Sequence, residues 1–115
     1  MLKLEYSQIV RKKLKKLRNE LTQNYGEHNS KKFMGKITKR IRLLETFPQS
    51  GKKISSQYDI KCDYYYIFAE HNYFFYRIKN NTIIILEMFH EKEDFMRNLF
   101  GIVTTSQDTI DYWEE

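Results

Sequence analysis

The sequence predicts an α+β fold: a short N-terminal strand, a basic antiparallel helical hairpin, a three-stranded antiparallel meander, and a short C-terminal helix with a tail. Apolar residues recur at helical spacing from Gln8 to Phe47, and aromatic or β-branched runs take over after Gly51. Between the two lies Phe47-Pro48-Gln49-Ser50-Gly51, the strongest punctuation in the chain. With 41% hydrophobic residues, nine Tyr and eight Phe among 115 residues, there is apolar surface for one core without a disulfide or metal. Residues 1–102 read as a single domain and residues 103–115 as an acidic tail.

Leu2 to Tyr6 alternates apolar and polar residues, the period of a half-buried strand. Ser7 stands at an N-cap position before a helix whose stripe is Val10, Leu14, Leu17 and Leu21. Asn24 and Gly26 supply the break, Thr22 to Asn29 the connection, and Asn29 or Ser30 the cap of a second helix. That helix carries Phe33, Ile37, Ile41 and Leu44 and is expected to end near Phe47, where Pro48 disfavours helical geometry. Tyr64 to Ala69, Tyr73 to Ile78 and Thr82 to Phe89 are three strand-like runs, joined by Glu70-His71-Asn72 and Lys79-Asn80-Asn81. The Asn-Asn pair tolerates the positive φ of a tight hairpin. Asp94 to Phe100 reads as the terminal helix and Gly101 as its stop.

Twenty Lys and Arg stand against fifteen Asp and Glu, a net charge of +5. Asp108, Asp111, Glu114 and Glu115 all lie in the tail, so residues 1–107 carry twenty cations and eleven anions, or +9. Twelve of the twenty cations fall on the two helices. Such a body suits a polyanion or an acidic protein segment, and equally a solvated surface. Cys62 is the only cysteine, which excludes an intramolecular disulfide and a cysteine-rich zinc site and fits a reducing cytoplasm. No apolar run approaches the length of a bilayer span, so no membrane partner is expected.

The chain has no glycine-rich phosphate loop, no His-Cys metal cluster and no Gly-x-Ser-x-Gly elbow, so no cofactor is expected. Chemistry open to a basic cofactor-free domain is acid-base work on a polyanion, such as RNA cleavage through its own 2′-hydroxyl. That needs a proton acceptor, a donor and cations for the phosphorane. His90 is the candidate acid or base; its alternative is a strand-end histidine satisfied by a carboxylate such as Asp94. Arg77 either contacts a phosphate or pairs with a carboxylate, Glu87 being one possible mate. With a two-residue Asn80-Asn81 loop, Arg77 shares a sheet face with His90; a one-residue change of register reverses that. Lys52, Lys53 and Lys92 are candidate RNA- or target-binding residues, or ordinary loop lysines. Tyr64, Tyr65, Tyr66, Tyr73 and Tyr76 offer rings for base stacking or for packing.

Four stretches, in this order and spacing, carry a family resemblance: Leu4-Glu5-Tyr6-Ser7, Leu43 to Gly51, Phe75-Tyr76-Arg77-Ile78, and Ile84 to His90. The chain resembles the RelE/ParE superfamily of bacterial type II toxins from about Leu2 to Phe100. The resemblance implies a toxin neutralised by a cognate antitoxin whose acidic or amphipathic segment wraps it. RelE-like members cleave mRNA on the ribosome, and ParE-like members poison DNA gyrase. Some RNA-cleaving relatives carry arginines where Asn72 and Met88 stand here, which removes phosphorane-stabilising charge, and Phe-Tyr-Arg-Ile is closer to the ParE side. In a nuclease, His90 would be the acid or base, with Arg77, Lys52 and Lys92 holding the phosphate. In a gyrase inhibitor the basic helices and C-terminal region would dock on a protein and His90 would be structural. The alternative from another class is a small basic RNA-binding or regulatory module without toxicity.

Overall fold

The structure, a computed structural model, describes residues 1–57 and 61–93. The terminal helix expected over Asp94 to Phe100 and the tail over 103–115 lie outside the described residues. Strand β1 (Lys3–Tyr6) leads into α1 (Gln8–Tyr25) and α2 (Glu27–Arg42), followed by a 3-10 turn over Leu43–Glu45. Then come β2 (Lys52–Lys53), the short helix α3 (Ile54–Gln57), β3 (Tyr65–Ala69), β4 (Asn72–Lys79) and β5 (Thr82–His90). The architecture is α+β, two helices and a five-stranded mixed sheet in the order β1-β5-β4-β3-β2. β1 runs parallel to β5, while β4 is antiparallel to both β5 and β3. No helix among the described residues is long and apolar enough to cross a membrane.

The hairpin differs from the sequence expectation at its joint. α1 continues through Asn24 to Tyr25, and one residue, Gly26 at φ 89°, reverses the chain. Only glycine adopts that conformation at no steric cost, and it lets the Gly26 N–H donate to Thr22 O while its carbonyl accepts from Ser30 N–H, both at 3.0 Å. Asn29 and Ser30 therefore lie inside α2. Asn29 donates to Tyr25 O, and buried Ser30 donates to Arg18 O at 3.2 Å, tying the helices together. α2 also stops before Phe47, its last turn tightening into the 3-10 segment.

The sheet has two apolar faces. Val10, Ile37, Ile41 and Leu44 pack with Ile67, Phe74, Tyr76, Ile83, Ile85 and Met88 on the helix side. On the other side Ile54, Tyr66, Phe75 and Phe89 form a second, smaller cluster. β2 and α3 were not expected from the sequence: two consecutive lysines have little strand propensity, but Lys52 and Lys53 pair with Tyr66 and Tyr65, and Ile54 beyond them is fully buried.

The Pro48–Gly51 turn is held by one side chain. The Tyr76 hydroxyl donates to Pro48 O at 2.8 Å and accepts from Gly51 N–H at 3.1 Å. A Cβ on Gly51 would come to 2.5 Å from that hydroxyl and 2.7 Å from Tyr66 O, so this glycine is required by close approach. Burial, partly offset by the Gly51 N–H bond, pushes the Tyr76 hydroxyl up to about 12.

β4 and β5 meet through the two-residue loop Asn80-Asn81, both residues at positive φ, with Lys79 opposite Thr82 and Arg77 opposite Ile84. The register then shifts between Phe75 and Tyr76: Tyr76 faces Ile85, Phe75 faces Glu87, and Leu86 has no opposite residue. Ser7 secures this bulge. Its N–H donates to Ile85 O and its hydroxyl to Leu86 O, both at 2.9 Å, while the same oxygen caps α1 by accepting from Val10 N–H at 3.1 Å.

Tyr76→Phe leaves the Gly51 N–H and Pro48 carbonyl unpaired and is expected to cost about 1–3 kcal/mol of unfolding free energy in urea melts. The Tyr76 pKa is raised in the fold, so the neutral hydroxyl's contribution is complete below pH 10 and is lost as pH rises toward about 12; the gap between wild type and Tyr76→Phe narrows over that window. Gly51→Ala is expected to destabilise the protein more than Tyr76→Phe. Equal melting of all three proteins would contradict this role for the turn.

Candidate functional site

Clefts meet around His90. One of about 290 Å³ is lined by Lys13, Lys16, Leu17, Glu20, Asn72, Met88, His90 and Glu93. A neighbouring one of about 500 Å³ shares Leu17, Asn72 and His90 and adds Leu21, Tyr25 and Phe33 from the hairpin. The result is a groove between α1 and the end of the sheet, lined by apolar side chains together with Lys13, Lys16, Glu20 and Glu93. His90 itself is exposed. Its backbone N–H donates to Glu93 Oε1 at 2.7 Å, and its Nδ1 accepts from Lys92 N–H at 3.2 Å, which places the proton of the neutral ring on Nε2. The carboxylate beside His90 is thus Glu93, bound to its backbone; Asp94 lies outside the described residues. His71, at the β3–β4 turn, faces Glu91 at 2.9 Å across the same end of the sheet.

Arg77 lies on the opposite face of the sheet. The two-residue loop forms, but the Leu86 bulge inverts the second half of β5, so Asn72 rather than a member of the Arg77 row faces His90. The face shared by Arg77 and His90 in the unbulged register is corrected accordingly. Arg77 Nη2 donates to Asp63 Oδ2 at 2.7 Å, and its Nε is buried without a hydrogen-bond partner among the described residues. Glu87 is not its mate. Glu87 Oε1 accepts from Lys13 Nζ at 2.7 Å and from Met88 N–H at 3.0 Å, while Lys13 also reaches Met88 O at 2.9 Å and the Phe89 ring at 4.4 Å. This ion pair occupies both backbone groups of Met88 on the β5 edge that β1 leaves uncovered beyond Ile85.

Lys52 and Lys53 are exposed on β2, at the other edge of the sheet from β1 and β5. Lys52 lines a cleft of about 430 Å³ with Arg40, Ser50, Phe68 and Tyr73, and Lys53 Nζ lies 5.9 Å from the Tyr65 ring centroid. Lys92 is exposed in the turn after β5. Of the candidate catalytic and phosphate-binding residues, Lys92 is the one that meets His90, through its backbone N–H. Tyr65 stacks on Tyr76 on the helix side, whereas Tyr66 meets Tyr73 edge-on across the sheet from them.

Sequence reasoning missed Lys13, Ser7 as a sheet clip, and Asp63. Lys13 stands in a run of lysines where nothing local distinguishes the one that reaches β5. Among the described residues no group of three or more His, Cys, Asp or Glu is placed to hold a metal ion.

Residues 4–95 match a family described as the ParE toxin of type II toxin-antitoxin system, parDE. The fold is similar to a solved chain of the chromosomal ParDE TA system from P. aeruginosa, with a TM-score of 0.64 at 15% identity over 78% of this chain and 96% of that one. No curated protein matches.

Glu87→Ala is expected to leave Met88 N–H without its carboxylate, speed hydrogen exchange at Met88, and cost about 1 kcal/mol. Unchanged exchange at that amide would show that the pair does not guard the edge.

Proposed function

Since the chain belongs to the ParE toxin family of type II toxin-antitoxin systems, we propose that it arrests growth by binding DNA gyrase and catalyses no RNA cleavage. The observation that carries this reading is the opposed placement of His90 and Arg77 on the two sheet faces, with Arg77 engaged by Asp63. Phosphodiester cleavage needs its proton-transfer group and phosphorane-stabilising cations around one reacting atom. Here Lys52 and Lys53 stand at the far edge, and Lys92 meets His90 through its backbone N–H. Lys13 and Lys16 line the cleft beside His90, but Lys13 is held by Glu87, and Glu20 and Glu93 line the same cleft. Asn72 and Met88, beside His90 in register, bring no charge. In this reading His90 orders the turn through its bonds to Lys92 and Glu93.

The cognate antitoxin would cover the groove beside His90. Leu17, Leu21, Tyr25 and Phe33 suit the apolar stripe of an amphipathic helix, and Lys16 suits an acidic residue flanking it.

Strong induction in a bacterium is expected to arrest growth, and His90→Ala is expected to retain that arrest. Purified toxin added in parallel to gyrase and to translating ribosomes is expected to inhibit supercoiling and leave message intact. Cleaved message with supercoiling untouched would overturn the proposal, and growth unaffected by induction would favour the non-toxic RNA-binding module.

A further inference from the structure

The helical hairpin carries far more charge than the groove uses. Residues 8–42 contain twelve Lys and Arg and only two carboxylates, Glu20 and Glu27. Among the described residues, Lys13 pairs with Glu87 and Arg42 with Glu45; the other ten cations enter no ion pair. Their layout is ordered. Arg11, Lys15 and Arg18 follow i, i+4, i+7 spacing along α1, and Lys32, Lys36 and Lys39 repeat it along α2. All six are exposed, outside the apolar stripes that face the sheet. Each row spans about 10 Å at the helical rise, on helices that pack about 8–10 Å apart. Concentrating like charge this way opposes folding and is retained at a cost.

The chemistry of this surface selects among polyanions. A protein partner needs apolar or aromatic anchors at the centre of its contact. The large apolar side chains exposed on the two helices are Ile9 and Tyr25, at the two ends of α1, and none lies within either row of cations. Single-stranded nucleic acid is held by rings on which bases stack, and the two rows carry none. Phosphates need only cations in register, and two rows can address the two strands of a duplex.

We propose that the outward face of the α1–α2 hairpin binds the backbone of duplex DNA without regard to sequence. The surface is separate from the groove beside His90, so a toxin held by a protein through one face keeps the other for DNA.

The test is fluorescence anisotropy of a labelled random-sequence DNA duplex of about 20 base pairs with the full-length protein, titrated across salt. Binding is expected at low salt, equal for unrelated sequences, with log K falling against log salt at a slope of about −5 for about six phosphate contacts. Arg18→Gln with Lys36→Gln is expected to reduce that slope by about 2 units. These side chains are exposed, so a matched thermal melt separates lost contact from lost fold. Absence of duplex binding at about 50 mM salt would overturn the proposal. So would tighter binding to single-stranded RNA, equal binding to polyglutamate, or an unchanged slope in the double variant. Gyrase is absent from the assay, so its outcome is independent of the supercoiling result.

Discussion

The β-bulge at Leu86, held by Ser7, is the constraint on which the arrangement of the groove depends. One unopposed residue in β5 turns Met88 and His90 toward the helices and Glu87 and Phe89 toward the other face. Phe89 thereby joins Phe75, Tyr66 and Ile54 in the second apolar cluster, and Met88 joins the main core. Ser7 couples this register to the start of α1, because one hydroxyl both caps the helix and bonds Leu86 O. Helix position and strand register are consequently set together. Lys13, nearly two turns into that helix, is then within reach of Glu87 and Met88.

A second tie acts at the other side of the molecule. The Tyr76 hydroxyl fixes the turn between the hairpin and β2 by pairing both the Pro48 carbonyl and the Gly51 N–H. This brings Lys52 and Lys53 onto β3 and buries Ile54. Both ties join elements far apart in sequence through polar groups, while apolar packing supplies the bulk of the cohesion.

Strand and helix periods made β1, both long helices and the three aromatic strands legible, since their signals are local and repeated. Local polarity misplaced the α2 cap: Asn29 and Ser30 look like capping residues but serve as contacts to α1, and Gly26 alone makes the turn. β2 was hidden because its two lysines become a strand only through Tyr65 and Tyr66. The relation between Arg77 and His90 was out of reach for a different reason. Counting from the Asn80-Asn81 loop assumes an unbroken ladder, and nothing in Ile84-Ile85-Leu86-Glu87 announces a bulge. Tertiary contacts with Ser7 and Lys13 choose it.

The candidate residues of this toxin lie on separate faces, Arg77 on one side of the sheet, His90 on the other and Lys52 and Lys53 at the far edge. Residues of one catalytic unit are strongly non-additive, whereas residues on opposite sides of a sheet contribute independently. A double-mutant cycle on His90→Ala and Arg77→Ala, read as inhibitory potency against growth, tests this most directly. The double variant is expected to show the sum of the two single effects within about 0.5 kcal/mol, with His90→Ala alone retaining arrest. Loss of arrest in the His90→Ala single variant, with a double variant no worse than that single, would join the two residues in one mechanism and contradict this.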